Sequence, residues 1–143
     1  MYEDNQETIE KNKAVVLRFN KEVIEGGSED VFWELMAPEF VNRTAAEGMS
    51  AGPDGMIYTF NQVLRPAFPD LKVEIYDQFA EGDKVTTRKA LKGTQLGALM
   101  GIPPTKKNVT IDVIDIVRVR GGRYVEHWGM NNLAAVLAQL RGS

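Results

Sequence analysis

His127 is the only histidine among the 143 residues, and it stands in the run Tyr124-Val125-Glu126-His127-Trp128. Imidazole is the side chain that most readily moves a proton near neutral pH. Asp115 lies on the preceding predicted strand. A carboxylate beside an imidazole orients its tautomer and favours its protonated form, so the two could act as a general acid–base pair. Whether they meet depends on the turn Arg120-Gly121-Gly122. A three-residue turn with a bulged glycine puts Val119 opposite Arg123, Val117 opposite Val125 and Asp115 opposite His127. A two-residue turn at Gly121-Gly122 puts His127 opposite Ile116 and Asp115 opposite Trp128. A one-residue slip sends every side chain to the other face. The three-residue turn is preferred, because it matches valine with valine and gives the carboxylate a basic partner. Ile114, Ile116, Tyr124 and Trp128 then fall on the opposite face, an apolar strip expected to be covered in a homodimer.

Other side chains are candidates for holding a ligand. Arg88, one strand earlier, could anchor an anionic group or neutralise Asp115. Gln95 and Asn42 offer amides, and Phe19, Trp33, Phe40, Tyr58 and Phe60 are the expected walls of an apolar pocket for a small hydrophobic molecule. The same residues admit structural roles. Asp115 and His127 can form an ion pair with no substrate, Arg88 a salt bridge, Gln95 hydrogen bonds to loop backbone, and Asn42 a turn cap. Aromatic residues at such spacings also build cores.

Composition narrows the chemistry. The chain has no cysteine, which excludes a disulfide framework, a thiolate nucleophile and a sulfur-ligated metal. One histidine excludes a three-histidine zinc site, so no catalytic metal is expected. A net charge of -3 with mixed signs gives no basic footprint for nucleic acid. No run approaches the roughly 20 apolar residues of a membrane span, and the polar start has no signal-like apolar core. A single cytoplasmic domain over residues 1–143 is expected.

The elements that must position these groups are legible in outline. Apolar residues at spacings of three and four predict a helix over Glu7–Glu25, ended by Gly26-Gly27. Ser28 is a predicted N-cap for a short helix over Val31–Met36. Glu39–Arg43 reads as a short extended piece. A third helix opens at Pro53-Asp54-Gly55 and ends at Pro66 and Pro69. Four strands follow, Leu71–Phe79, Lys84–Lys92, Val109–Val119 and Arg123–Met130, then a closing helix over Asn132–Leu140. Helices first and an antiparallel meander after predict an α+β fold: a curved antiparallel sheet packed against three N-terminal helices, with a short C-terminal helix.

Phe68-Pro69-Asp70-Leu71, Glu81-Gly82-Asp83-Lys84-Val85, Gly93-Thr94-Gln95, Met100-Gly101-Ile102-Pro103-Pro104-Thr105 and Glu126-His127-Trp128 together resemble the SnoaL-like polyketide cyclases of the NTF2-like superfamily, over about Asn12–Leu140. The resemblance implies a cone-shaped barrel with an internal pocket, usually a homodimer, that uses no metal and no cofactor. It also implies the three-residue hairpin register. The type enzymes close a ring on an aromatic polyketide ester by intramolecular aldol condensation. An aspartate two residues after the hairpin histidine removes a proton α to the ester carbonyl. In this chain that position is Gly129, a second family histidine is Asp115, the histidine of Gly-Thr-His is Gln95, and an acidic position opening the last helix is Asn132. The reading is therefore a cofactor-independent cyclase or isomerase on a small hydrophobic carbonyl compound, with Asp115 and His127 carrying the proton. Gly129→Asp is expected to raise aldol activity if the pocket is otherwise intact. The alternatives are a non-catalytic binding protein, which Gly129 and Asn132 favour, and an accessory polyketide hydroxylase-like protein.

Overall fold

The first helix, α1 (Tyr2–Arg18), runs without a break into a π-helical segment, Phe19–Glu25. The computed structural model describes residues 2–142. Widening to the π form turns Phe19, Asn20, Val23 and Ile24 all toward the core, a local distortion often found at functional sites. Gly26 and Gly27 end the helix as expected, Gly27 at a φ of 76°. Its last carbonyls are capped from outside by Arg65, which donates to the backbone oxygens of Val23, Ile24 and Glu25 at 3.1, 2.6 and 3.1 Å.

Ser28 caps α2 (Glu29–Leu35) by accepting the Val31 N–H at 3.2 Å. The chain then turns directly into β1 (Met36–Asn42). The third helical rod is α3 (Pro53–Tyr58), a second π segment (Thr59–Leu64) and the turn α4 (Arg65–Ala67). Pro66 lies inside this last turn rather than ending the helix before it. Four long strands follow, β2 (Lys72–Glu81), β3 (Lys84–Thr94), β4 (Asn108–Arg120) and β5 (Arg123–Asn131), then α5 (Leu133–Leu140). Among the described residues no helix is long and apolar enough to cross a membrane.

The five strands form one sheet in the order β1-β5-β4-β3-β2. The meander β2 to β5 is antiparallel as expected, but β1 joins β5 in parallel, so the sheet is mixed. The extended piece read at Glu39–Arg43 is the outermost strand of this sheet. Its pairing sets Asn42 beside His127. The curved inner face closes on Phe19, Phe32, Phe40 and Phe68, all buried.

The β4–β5 hairpin departs from the preferred register. Gly121 and Gly122 both have positive φ, 57° and 77°, and form a two-residue turn with Arg120 opposite Arg123, the primed geometry that matches strand twist. Val119 then pairs with Tyr124, but Arg118 pairs with Glu126, so Val125 is an extra, bulged residue. Beyond the bulge Val117 faces His127, Ile116 faces Trp128 and Asp115 faces Gly129. The expected pairing of Asp115 with His127 is corrected to Asp115 with Gly129. The bulge restores the parity that the shorter turn would have reversed, so Asp115 and His127 still share the inner face. Tyr124, before the bulge, is also inside: it is buried and stacked on Phe19 with ring centroids 4.3 Å apart. It leaves the predicted outer strip, where Ile114, half exposed, remains.

Candidate functional site

An inner-face cavity of about 330 Å³ lies between the sheet, the two π-helical segments and the loop after β1. Phe19, Phe60, Val63, Leu64, Ile111 and Tyr124 give it apolar walls. Four adjacent strands bring polar groups to it: Lys89 from β3, Asp115 from β4, His127 from β5 and Asn42 from β1. Alternation along β3 points Val85, Thr87, Lys89 and Leu91 inward, all buried.

These groups form one connected chain. Asn20 Nδ2 donates to the Val16 carbonyl at 2.8 Å, and Lys89 Nζ donates to Asn20 Oδ1 at 2.6 Å. Lys89 Nζ also donates to Asp115 Oδ2 at 3.2 Å, and His127 Nε2 lies 3.5 Å from the same oxygen. His127 Nδ1 lies 2.9 Å from Asn42 Oδ1. That oxygen also accepts the Thr44 N–H at 3.2 Å, which turns the amide oxygen, not its nitrogen, toward the ring. Nδ1 is therefore the donor to Asn42. Nε2 is the nitrogen that faces Asp115. Asp115 Oδ1 is buried and accepts no hydrogen bond among the described residues. Burial alone would push the Asp115 carboxyl up, but the Lys89 ammonium and His127 outweigh it and hold the carboxyl below its ordinary value. Tyr124 is displaced the other way. Burial, and secondarily Asp115, pushes its hydroxyl well above the usual range, so it stays a neutral group on the cavity wall.

Gly129 makes the His127–Asp115 contact possible. A Cβ at position 129 would sit 2.8 Å from His127 Cε1, 3.2 Å from Nε2 and 3.8 Å from Asp115 Cβ. The imidazole lies over the space a side chain would fill. The condition attached to Gly129→Asp, an otherwise intact pocket, is therefore not met, because an aspartate there displaces His127. Gly129→Ala tests this without adding a functional group. Its backbone is not in the left-handed region, so the fold should hold. The ring should swing away from Asp115, and any proton-transfer activity should fall roughly tenfold to a hundredfold for a displacement of about 1 Å. Melting curves and rates of the two proteins check it, and an unchanged rate would rule the contact out as necessary.

The remaining candidates separate clearly. Phe19, Phe60 and Asn42 border the cavity with Asp115 and His127. Arg88 does not: it lies on the outer face, pairs with Asp77 at 3.0 Å and stacks over Tyr76. The inward cation is its neighbour Lys89, which sequence reasoning missed; counting strand parity from the buried Val85 is the signal that could have found it. Gln95 is buried but serves a loop. Its Nε2 donates to the carbonyls of Gly97, Ile102 and Pro103, and its Oε1 accepts from Thr105 N and Oγ1. Trp33 and Tyr58 are 51% and 52% exposed on outward helix faces, and Phe40 is core beneath the sheet edge. Asn132 ties the start of α5 to Asp112 and lies off the cavity. Among the described residues no group of three or more potential metal ligands comes together.

The family model for SnoaL-like polyketide cyclases matches residues 14–140. No curated protein matches the chain. Among solved structures, IdmH from Streptomyces antibioticus, a candidate polyketide cyclase, is 30% identical with a TM-score of 0.78; the match covers 91% of this chain and 98% of that one. A candidate SnoaL-like polyketide cyclase from Jannaschia sp. CCS1 is 29% identical with a TM-score of 0.79 and 93% of each chain covered. AclR from Streptomyces galilaeus, a candidate hydroxylase, is 25% identical with a TM-score of 0.82, covering 94% of this chain and 83% of that one.

Proposed function

Because the chain belongs to the SnoaL-like polyketide cyclase family with an NTF2-like fold, we propose that it is a cofactor-free cyclase or isomerase acting on a small hydrophobic carbonyl compound held in the inner-face cavity. Asp115 and His127 are the acid–base pair. One observation carries this reading: Asp115 pairs directly across the ladder with Gly129, the position at which the family aspartate is expected. The carboxylate reaches the same side of the cavity from the neighbouring strand. The ligand lies along Phe19 and Phe60 with its carbonyl end toward the polar wall. Asp115 accepts a proton α to the carbonyl, and His127 Nε2 delivers one to the oxygen that becomes negative as the new bond forms. Asn42 accepts the Nδ1 hydrogen and so aims Nε2 into the cavity, and the ring delivers from Nε2 in its doubly protonated form.

Two other readings stay in play on specific grounds. A glycine in place of a carboxylate at 129 fits a pocket that only binds, and the likeness to AclR fits a hydroxylase-like accessory role. Exchange of the α-hydrogens of β-tetralone in deuterium oxide separates them. A proton-transfer enzyme accelerates exchange over buffer. A binding protein raises its melting temperature with the ketone, by up to about 2.7 kcal/mol of stability at a hundredfold excess over Kd, and leaves exchange at the buffer rate.

The protein is also proposed to be a cytoplasmic homodimer joined through the outer sheet face, where Ile114 and Met130 are exposed beside Trp128 and Ile116. A sedimentation experiment returning a monomer at micromolar concentration would remove that proposal.

A further inference from the structure

An ammonium has three N–H donors. In Lys89 two are engaged, by Asn20 Oδ1 at 2.6 Å and Asp115 Oδ2 at 3.2 Å. No third acceptor meets it among the described residues. Yet the side chain is only 4% exposed and borders the cavity. A buried donor without a partner is unfavourable, and more so when charged. Asn20 is itself tied to the Val16 carbonyl, so the ammonium is held from the helix side rather than free to fold away. Among the described residues, no other lysine and no arginine borders the cavity.

We propose that Lys89 is the electrophilic residue of this site, its unused N–H donating to the carbonyl oxygen of the ligand. The inference rests on reading the cavity as a proton-transfer site. In the reaction the α C–H bond breaks and its proton passes to Asp115. The electron pair moves through the new carbon–carbon double bond onto the oxygen. Lys89 keeps its proton and neutralises the enolate by a charge-assisted hydrogen bond from a buried position against apolar walls, where such a bond is stronger than in water. The substrate class follows: a ketone or ester whose carbonyl oxygen reaches β3 while its α-hydrogen faces the β4–β5 hairpin.

β-Naphthol tests this, because its absorption distinguishes naphthol from naphtholate and its oxygen stands for the enolate oxygen. It is neutral in free solution at neutral pH. Asp115→Asn removes the negative charge beside Lys89 and should bind naphtholate, about tenfold or more tighter than the wild type binds either form. Lys89→Met combined with Asp115→Asn leaves neither charge to bury and should bind only neutral naphthol. Neutral naphthol in Asp115→Asn, or no binding to it, overturns the proposal. So does naphtholate in the double variant, which would place the oxyanion on a group other than Lys89. If the wild type exchanges no ketone protons while Asp115→Asn binds naphtholate, the proton-transfer reading falls and the oxyanion contact to Lys89 stands.

Discussion

Lys89→Met should destabilise the folded protein by about 3–5 kcal/mol at neutral pH, a large part of the roughly 5–15 kcal/mol that holds a domain together. The methionine fills the space, so the loss is electrostatic: Asp115 is left buried with only His127 to compensate it. The pH dependence should change sign as well. In the wild type the Asp115 carboxyl is held below its ordinary value. Its contribution is therefore present above the unfolded value of about 3.9 and is lost as pH falls through the folded one. Burial is the largest influence on that carboxyl and acts upward. With Lys89 gone, burial should prevail, and the variant should lose stability as pH rises through the raised value. Lys89→Met combined with Asp115→Leu removes both charges and should recover most of the loss. Urea unfolding at pH values from below about 3.9 up to neutrality checks all three. A single variant within about 1 kcal/mol of wild type at neutral pH would show that the pair is not the buried unit described.

How much of this was legible in the chain depends on how local each signal is. Capping by Ser28, the stop at Gly26-Gly27 and the four-strand meander are written in consecutive residues, and each stands where its residue types demand. The family resemblance rested on short runs of the same kind and agrees with the family match over residues 14–140. The hairpin is the instructive failure. Its preferred pairing was wrong, because Gly121-Gly122 makes the tighter turn, yet Asp115 and His127 still meet, because the bulge at Val125 returns the parity. Nothing in the residue types announces that bulge. Tyr124, which precedes the bulge, moved inside because the tighter turn pairs it with Val119. Arg88 and Lys89 are adjacent cations on one strand, and only alternation tells them apart. Asn42 became the partner of His127 through parallel pairing of β1 with β5, residues 85 apart in the chain, which no local pattern encodes. Trp33 and Tyr58 failed as cavity walls because helical spacing identifies a stripe without saying which neighbour covers it.

Proton transfer is proposed for Asp115 with His127. The most direct measurement is the rate of β-tetralone α-hydrogen exchange at saturating ketone, wild type against Asp115→Asn, with Kd measured on both. Asparagine keeps an amide oxygen for Lys89 and nearly the same volume, so the folded cavity should persist. What it lacks is a carboxylate that can take a proton. General acid–base catalysis by one positioned group is typically worth about 10²–10⁴-fold. The exchange rate should fall by that factor while Kd changes only a few-fold, the pattern of a group acting in the transition state rather than in binding. Equal exchange rates in the two folded proteins would contradict the account and leave the cavity as a binding site.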